Sequence, residues 1–130
     1  MSALGSNRKV LVIEDNRDLV YLLCFALTQM GHEVGSANNG TDGIEKAREM
    51  KPDIIFCDLG LPGASGFEVA RAIREDTSLK DVYMIALTGY AGLSETGLAL
   101  ESGFNLHMPK PVSINELIKI INKAALSPQA

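Results

Sequence analysis

The sequence predicts an α/β fold in which helices cover both faces of a five-stranded parallel sheet. Short apolar runs of strand length alternate along the chain with longer segments whose apolar residues recur at helical spacing. The runs at Lys9–Ile13 and 54–57 are compact and rich in Val, Ile and other apolar residues, as expected of strands buried on both faces. The predicted strands are Lys9–Ile13, 32–37, 54–57, 82–87 and 105–108.

Five amphipathic segments are predicted as helices between and after these strands. Gly31 stands just beyond the first of them, where a helix commonly ends. In the last, Leu117, Ile118, Ile121 and Ala125 are predicted to share one apolar face. The fourth is the weakest because Gly97 lies inside it. The predicted helices are Arg17–Gln29, 41–50, a third that ends near Glu75, 93–102 and Ile114–Leu126.

The length of 130 residues suits a single domain, which we expect at residues 8–126 with flexible termini at 1–7 and 127–130. The net charge of −4 argues against binding to nucleic acid or to a membrane surface, since both favour a basic face. No apolar run has the length of a membrane span, and residues 1–7 lack the apolar core of a signal peptide. We therefore expect a cytoplasmic protein in which Cys24 and Cys57 are buried free thiols.

Polar residues follow the predicted strands at the carboxyl edge of the sheet, where open α/β folds bind ligands. The first strand leads into Glu14 and Asp15, the third into Asp58, the fourth into Thr88 and the fifth into Lys110. Clustered carboxylates repel one another, so they favour a bound cation or a raised pKa. Oxygen ligands with open positions suit Mg²⁺, which keeps several waters. With the lysine and the hydroxyl, the set suits phosphoryl transfer, which depends on positioning and charge neutralisation.

Four segments in chain order resemble the receiver domain of response regulators in two-component signalling. They are VLVIEDN (10–16), DLGLPG (58–63), ALTG (86–89) and KP (110–111), and the likeness extends over about residues 8–126. The wider segments ALTGYA and HMPKP are most like receivers of hybrid histidine kinases. The resemblance implies a flavodoxin-like, doubly wound sheet with strand order 2-1-3-4-5 and five helices, arranged in three α/β/α layers.

The resemblance also assigns the acceptor and the metal ligands. Asp58 is the expected phosphoacceptor. Asp15, Asp58 and the backbone carbonyl of Gly60 are the expected direct ligands of Mg²⁺, and Glu14 is expected to bind the ion through water. Many members carry Asp at the position of Glu14, so its extra methylene is expected to change the metal geometry.

The remaining assignments concern the switch. Thr88 and Lys110 would each contact a phosphoryl oxygen, and the peptide bond from Lys110 to Pro111 would be cis. Thr88 would move toward the phosphoryl group and His107 would turn inward, which would change a face formed by the helix at 93–102, the fifth strand and the last helix.

The donor would be a phosphohistidine on a histidine kinase or phosphotransfer domain, and a downstream protein would bind the changed face. Such a domain promotes only its own phosphorylation and dephosphorylation, so it is not a turnover enzyme.

Alternatives remain open at this point. A phosphatase of the haloacid dehalogenase type also forms an aspartyl phosphate, but its nucleophile follows strand one with a second Asp two residues later, where this chain has Arg17. A flavodoxin-like binding module needs a neutral loop after strand one, where Glu14 and Asp15 would repel a phosphate. A receiver fold that only binds partners is a third alternative. Taken singly, Asp58 is also a plausible helix N-cap and His107 a plausible structural side chain.

Overall fold

Helices cover both faces of a parallel sheet in the computed structural model, which describes residues 8–89 and 102–126. The five strands lie in the order β2-β1-β3-β4-β5, and every neighbouring pair is parallel. The strands are β1 (Lys9–Ile13), β2 (Glu33–Ala37), β3 (Ile54–Asp58), β4 (Tyr83–Thr88) and β5 (Leu106–Pro109). The helices of the described residues are α1 (Arg17–Gln29), α2 (Gly40–Met50), α3 (Gly66–Glu75) and α4 (Ile114–Leu126). The predicted fold class and strand order are confirmed.

The bounds of these elements follow the sequence prediction closely. No predicted strand bound differs from the observed one by more than one residue. The predicted helix at 93–102, except its last residue, lies outside the described residues, as do the predicted termini at 1–7 and 127–130. Within the described ranges, no helix combines the length and the hydropathy that crossing a bilayer requires.

Each face of the sheet has its own apolar cluster, because successive side chains of a strand point to opposite faces. On one face, residues such as Leu11 and Ile55 pack with the apolar sides of α2 and α3. On the other, residues such as Val12 and Phe56 pack with α1 and α4. This burial on both sides explains why β3 and β4 are buried along their whole length. The predicted three-layer arrangement is therefore confirmed.

Two predictions about buried side chains were partly wrong. In α4, Leu117, Ile121 and Ala124 are buried, whereas Ile118 is exposed, and the side chain of Ala125 lies outside the described part of the chain. The buried residues are spaced by four and three positions and form one narrow stripe, and Ile118 lies about a quarter of a turn away from it. Both cysteines are free thiols, but Cys24 is only half-buried while Cys57 is buried.

Side-chain caps fix the points at which helices begin after the strands. Asn16 Oδ1 accepts a hydrogen bond from the backbone N–H of Leu19 at 3.1 Å, so α1 begins directly after the acidic residues that follow β1. Ser65 and Glu68 form a reciprocal capping box at the start of α3. The turns at the carboxyl edge of the sheet are thus held by local hydrogen bonds.

Candidate functional site

The carboxyl ends of four strands bring the predicted polar residues to one edge of the sheet. Glu14 and Asp15 follow β1, Asp58 ends β3, Thr88 ends β4 and Lys110 follows β5. The parallel register accounts for this convergence, because Asp58 pairs with Leu87 and Thr88 pairs with Pro109. The strands therefore end at nearly the same level, and the side chains at those ends share one site.

Lys110 lies between two carboxylates. Its Nζ is 2.9 Å from Glu14 Oε1 and 3.3 Å from Asp58 Oδ1. Glu14 is 0 % exposed and Asp58 is 8 % exposed, so both carboxylates are largely removed from water. Glu14 Oε2 also accepts a hydrogen bond from the backbone N–H of Asn16 at 3.0 Å. Glu14 Oε1 lies within ion-pair distance of Lys110 Nζ, but it accepts no well-directed hydrogen bond from the described residues. This oxygen can therefore accept a further hydrogen bond.

The electrostatics of the site favour added positive charge. Burial raises the pKa of Glu14 above its usual range, and the hydrogen bond from Asn16 and the contact with Lys110 oppose this rise without cancelling it. Burial lowers the pKa of Lys110, but the contacts with Glu14 and Asp58 outweigh it and leave the pKa raised overall. Lys110 is therefore charged at neutral pH, and one ammonium serves two carboxylates.

The carboxylates fit a small divalent cation. Glu14, Asp15 and Asp58 each offer an oxygen, and these oxygens lie within 4.8 Å of one another. Asp15 is exposed, which leaves one side of the cluster open to solvent and to a ligand. Around Gly60, nothing lies within 4 Å of the position that a Cβ would take. Several hard oxygen ligands beside a solvent-exposed side suit Mg²⁺, which keeps several water ligands.

Thr88 carries a buried hydroxyl for which the described residues offer no partner. The residue is 1 % exposed, and its Oγ1 has no hydrogen bond from the described residues. Its backbone is well held, since the N–H of Lys110 donates to the Thr88 carbonyl at 2.8 Å. Buried hydroxyls are usually hydrogen-bonded, so this one is suited to donate to an incoming oxyanion.

The structure places His107 on β5, on the strand that leads to the site. It is half-buried and pairs in register with Ala86 of β4. This position agrees with a switch residue and equally with a structural side chain. The peptide bond from Lys110 to Pro111 is cis, as predicted.

Sequence reasoning missed Asn16 as part of the site. Its side chain caps α1, and its backbone N–H holds one oxygen of Glu14. An Asn directly before an amphipathic helix is a recognised start signal, so the cap was readable from the sequence. The hydrogen bond to Glu14 was not, because it depends on how the turn after β1 folds.

The sequence is similar to a known domain family and to characterised bacterial proteins. The family model of the response regulator receiver domain matches residues 10–122. Protein PilH of Pseudomonas aeruginosa is 31% identical over 114 residues, which are 88% of this chain and 94% of that protein. The polar-differentiation response regulator DivK of Brucella anthropi is 30% identical over 114 residues, which are 88% of this chain and 93% of that protein.

A solved structure resembles the fold closely. It is the receiver domain of the sensor histidine kinase PA1611 from Pseudomonas aeruginosa PAO1, with a TM-score of 0.86 and 27% identity. The likeness covers 93% of this chain and 99% of that chain. That structure has a magnesium ion coordinated in its active site cleft.

Proposed function

Because this chain belongs to the receiver domain family of response regulators, a family of signalling switches, we propose that it takes a phosphoryl group onto Asp58. The observation that carries the proposal is the position of the Asp58 carboxylate, 3.3 Å from Lys110 Nζ and within the carboxylate cluster formed with Glu14 and Asp15. Membership of this family also favours a receiver over the haloacid dehalogenase phosphatase and the flavodoxin-like module that the sequence left open.

The proposed reaction is transfer from a phosphohistidine. A carboxylate oxygen of Asp58 forms a bond to phosphorus while the bond from phosphorus to the imidazole nitrogen breaks. The electron pair of that bond stays on the nitrogen, which takes up a proton, and Asp58 carries an acyl phosphate. Lys110 offsets the charge of the acceptor, and the hydroxyl of Thr88, which has no partner among residues 8–89 and 102–126, donates to a phosphoryl oxygen.

The metal belongs to the same proposal. Asp15, Asp58 and the backbone carbonyl of Gly60 would hold Mg²⁺ directly, and Glu14 would act through water. The bound ion supplies charge neutralisation between an anionic donor and an anionic acceptor. The carboxylate cluster supports this assignment, as does the magnesium ion in the cleft of the related PA1611 receiver.

An exposed apolar strip beside the site supports a protein as the donor. Tyr21 and Phe25 of α1 are 73% and 56% exposed, their rings stack with centroids 6.2 Å apart, and Leu22 beside them is exposed. An open recess of about 710 Å³ is lined by both Asp15 and Tyr21, so the strip reaches the acidic edge. A protein that brings a histidine to Asp58 must cover the surface next to it, and exposed aromatic residues suit a protein contact.

We propose that a downstream protein binds a second surface, which is formed by β5, α4 and the predicted helix at 93–102. Of this face, β5 and α4 lie in the described residues, where Ile114 and Ile118 are exposed. Thr88 and His107 would couple the phosphoryl group to this face, to which a downstream protein binds. We also propose that the domain acts in the cytoplasm, where a kinase would present its phosphohistidine. There it would act as a switch that promotes only its own phosphorylation and dephosphorylation.

Labelling with a small phosphodonor tests the function. With acetyl phosphate and Mg²⁺, the wild type should gain a phosphoryl group that is sensitive to hydroxylamine, seen by intact mass. Asp58→Asn should gain none, because an amide oxygen is a far weaker nucleophile than a carboxylate. Asp81→Asn, which alters an exposed aspartate just before β4, should be labelled like the wild type. An acyl phosphate on the Asp58→Asn variant would assign the acceptor role to another carboxylate. An unlabelled wild type would favour a receiver that only binds partners. Either result contradicts the proposal.

A second measurement tests the protein donor. With a phosphorylated histidine phosphotransfer domain that labels the wild type, Phe25→Asp should slow transfer about tenfold, which corresponds to about 1.4 kcal/mol. Labelling by acetyl phosphate should not change, because that donor is too small to contact the strip. Thr77→Asp, which changes an exposed neutral residue just after α3, adds the same single negative charge and serves as the control. An equal loss of transfer rate with both donors would show that Phe25 contributes to the phosphorylation site itself rather than to binding of the donor protein.

A further inference from the structure

Glu14 has a contact that its expected water-mediated metal role does not explain. We propose that Glu14 is a positioning residue that holds the Lys110 ammonium beside Asp58 through a direct ion pair, independently of any metal. The inference rests on the proposed phosphorylation of Asp58. It gives Glu14 a task beyond its water-mediated contact with the cation, whereas Asp15 serves the cation alone.

The distances favour Glu14 as the principal anchor of Lys110. Lys110 Nζ is 2.9 Å from Glu14 Oε1 and 3.3 Å from Asp58 Oδ1. The other end of the residue is held as well, since the Lys110 N–H donates to the Thr88 carbonyl at 2.8 Å. A lysine side chain has four flexible carbons, so contacts at both ends are needed to keep its ammonium in one place.

Glu14 is itself immobilised. Its N–H donates to the Ala37 carbonyl at 3.0 Å, and its Oε2 accepts the Asn16 N–H at 3.0 Å. The side chain is 0 % exposed, so its carboxylate cannot swing into solvent. Asp15, by contrast, is exposed, and the ion pairs of Lys110 with described residues are those with Glu14 and Asp58.

The ion pair between Glu14 and Lys110 depends on the length of the glutamate side chain. An aspartate at position 14 would withdraw its oxygens by roughly 1.5 Å, the length of one carbon–carbon bond. Direct contact with Lys110 would then be lost. Glutamine would keep the length but has one acceptor oxygen, whereas Glu14 uses one oxygen toward Asn16 and the other toward Lys110. Neither substitute reproduces both contacts.

The side-chain NMR signal of the Lys110 ammonium, recorded in metal-free buffer, tests the inference. Ammonium protons held in a buried ion pair exchange slowly with water and give a visible ¹⁵N correlation, which Lys110→Arg identifies by its loss. We expect the signal in the wild type and in Asp15→Asn, and we expect it to vanish in Glu14→Asp and in Glu14→Gln. If Glu14→Asp does not fold, the isosteric Glu14→Gln gives the same readout.

Kinetics and metal affinity separate positioning from metal binding. With acetyl phosphate at saturating Mg²⁺, Glu14→Asp should label Asp58 about tenfold more slowly, a loss of about 1.4 kcal/mol of activation free energy. Its Kd for Mg²⁺ should change less than that of Asp15→Asn. A persistent Lys110 signal in both Glu14 variants, or a full rate restored by saturating Mg²⁺, overturns the inference. Because the NMR readout needs neither metal nor phosphodonor, a wild type that is never labelled refutes the proposed function without affecting this measurement.

Discussion

Glu14, Asp58 and Thr88 are the buried polar and charged side chains among residues 8–89 and 102–126, and all three lie at one site. Burial of a carboxylate or a hydroxyl costs free energy unless a partner satisfies it. Glu14 and Asp58 share Lys110, whereas the hydroxyl of Thr88 has no partner in the described structure. At the residue scale, the burial of these side chains is better explained by a role in binding or catalysis than by a contribution to stability.

Replacing Thr88 with Val should therefore stabilise the protein while weakening the switch. Valine keeps the β-branched shape and removes a hydroxyl that no described residue satisfies, and burial of an unsatisfied hydroxyl costs about 1–3 kcal/mol. We expect the free energy of unfolding in urea to rise by about 1 kcal/mol and the affinity for beryllofluoride, which mimics the phosphoryl group, to fall. Thr28→Val changes an exposed threonine of α1 and should alter neither quantity appreciably. A loss of stability in Thr88→Val would show that the hydroxyl is satisfied in solution.

At the scale of elements, the start of α3 lies very close to the end of β3. A Cβ at Gly66 would collide with the Asp58 carbonyl oxygen and lie 2.7 Å from Leu59 Cα. Gly60, in the same loop, has nothing within 4 Å of its Cβ position. The two glycines thus serve different purposes, since one permits close packing and the other leaves space beside the acceptor.

Alanine substitutions at these two glycines form a matched pair. Gly66→Ala should destabilise the fold by about 1–3 kcal/mol, because backbone atoms must move to admit the methyl group. Gly60→Ala should change stability by less than about 0.5 kcal/mol, as is usual for substitutions without contacts. Urea unfolding measures both. Equal effects at the two positions would mean that the approach of α3 to β3 is looser than described.

Arg74 joins α3 to the segments that precede β4 and β5 through four hydrogen bonds. Its guanidinium donates to the carbonyls of Lys80, Val82 and Gly103 at 2.7, 2.6 and 2.9 Å, and to Asn105 Oδ1 at 2.8 Å. The same Asn105 oxygen accepts the N–H of Met84 at 2.8 Å. The planar, five-donor guanidinium links segments that are far apart in sequence.

Arg74→Lys should destabilise the protein by about 2 kcal/mol or more, although it keeps the charge. A single ammonium cannot reach acceptors spread over the starts of β4 and β5, and unpaired carbonyls remain. Hydrogen exchange of the β5 amides should become faster along with a lower free energy of unfolding. Arg71→Lys, on the exposed side of the same helix, should match the wild type. Were the two variants equally stable, the contacts of Arg74 would contribute nothing net.

At the scale of the whole molecule, stability and chemistry lie in different places. Apolar clusters on both faces of the sheet hold the layers together, while the carboxylates meet at one edge. The carboxylates at that edge follow different strands, so only the folded chain brings them together to bind a cation. Metal binding should therefore be visible as global stabilisation.

Mg²⁺ should raise the melting temperature of the wild type, and removal with a chelator should reverse the change. At a concentration of about ten times Kd, the expected gain is about 1.4 kcal/mol in unfolding free energy. Asp15→Asn should lose most of this gain and, without metal, be at least as stable as the wild type, because one mutually repelling carboxylate is gone. Asp18→Asn, which alters an exposed residue in the first turn of α1, should keep the response. An unchanged Mg²⁺ response in Asp15→Asn would remove that residue from the metal site.

The sequence by itself determined the fold class, the strand order through its family resemblance, and the residues that meet at the site. Strand and helix periods are local patterns, and the carboxyl ends of parallel strands must share one edge, so Asp15, Asp58 and Thr88 were placed correctly without coordinates. The family match then confirmed what the motifs had indicated.

Only the tertiary structure decided which atoms touch. The contact of Lys110 with Glu14, which is shorter than its contact with Asp58, was not predicted, and Ile118 is exposed although it was predicted to share a face with Leu117 and Ile121. The acceptors of Arg74 and the clash that requires Gly66 were likewise invisible in the sequence. Such contacts join residues distant in the chain, and they depend on sheet register, helix rotation and side-chain length to within an ångström. Periodicity and motif spacing are local properties of the chain and do not carry that information.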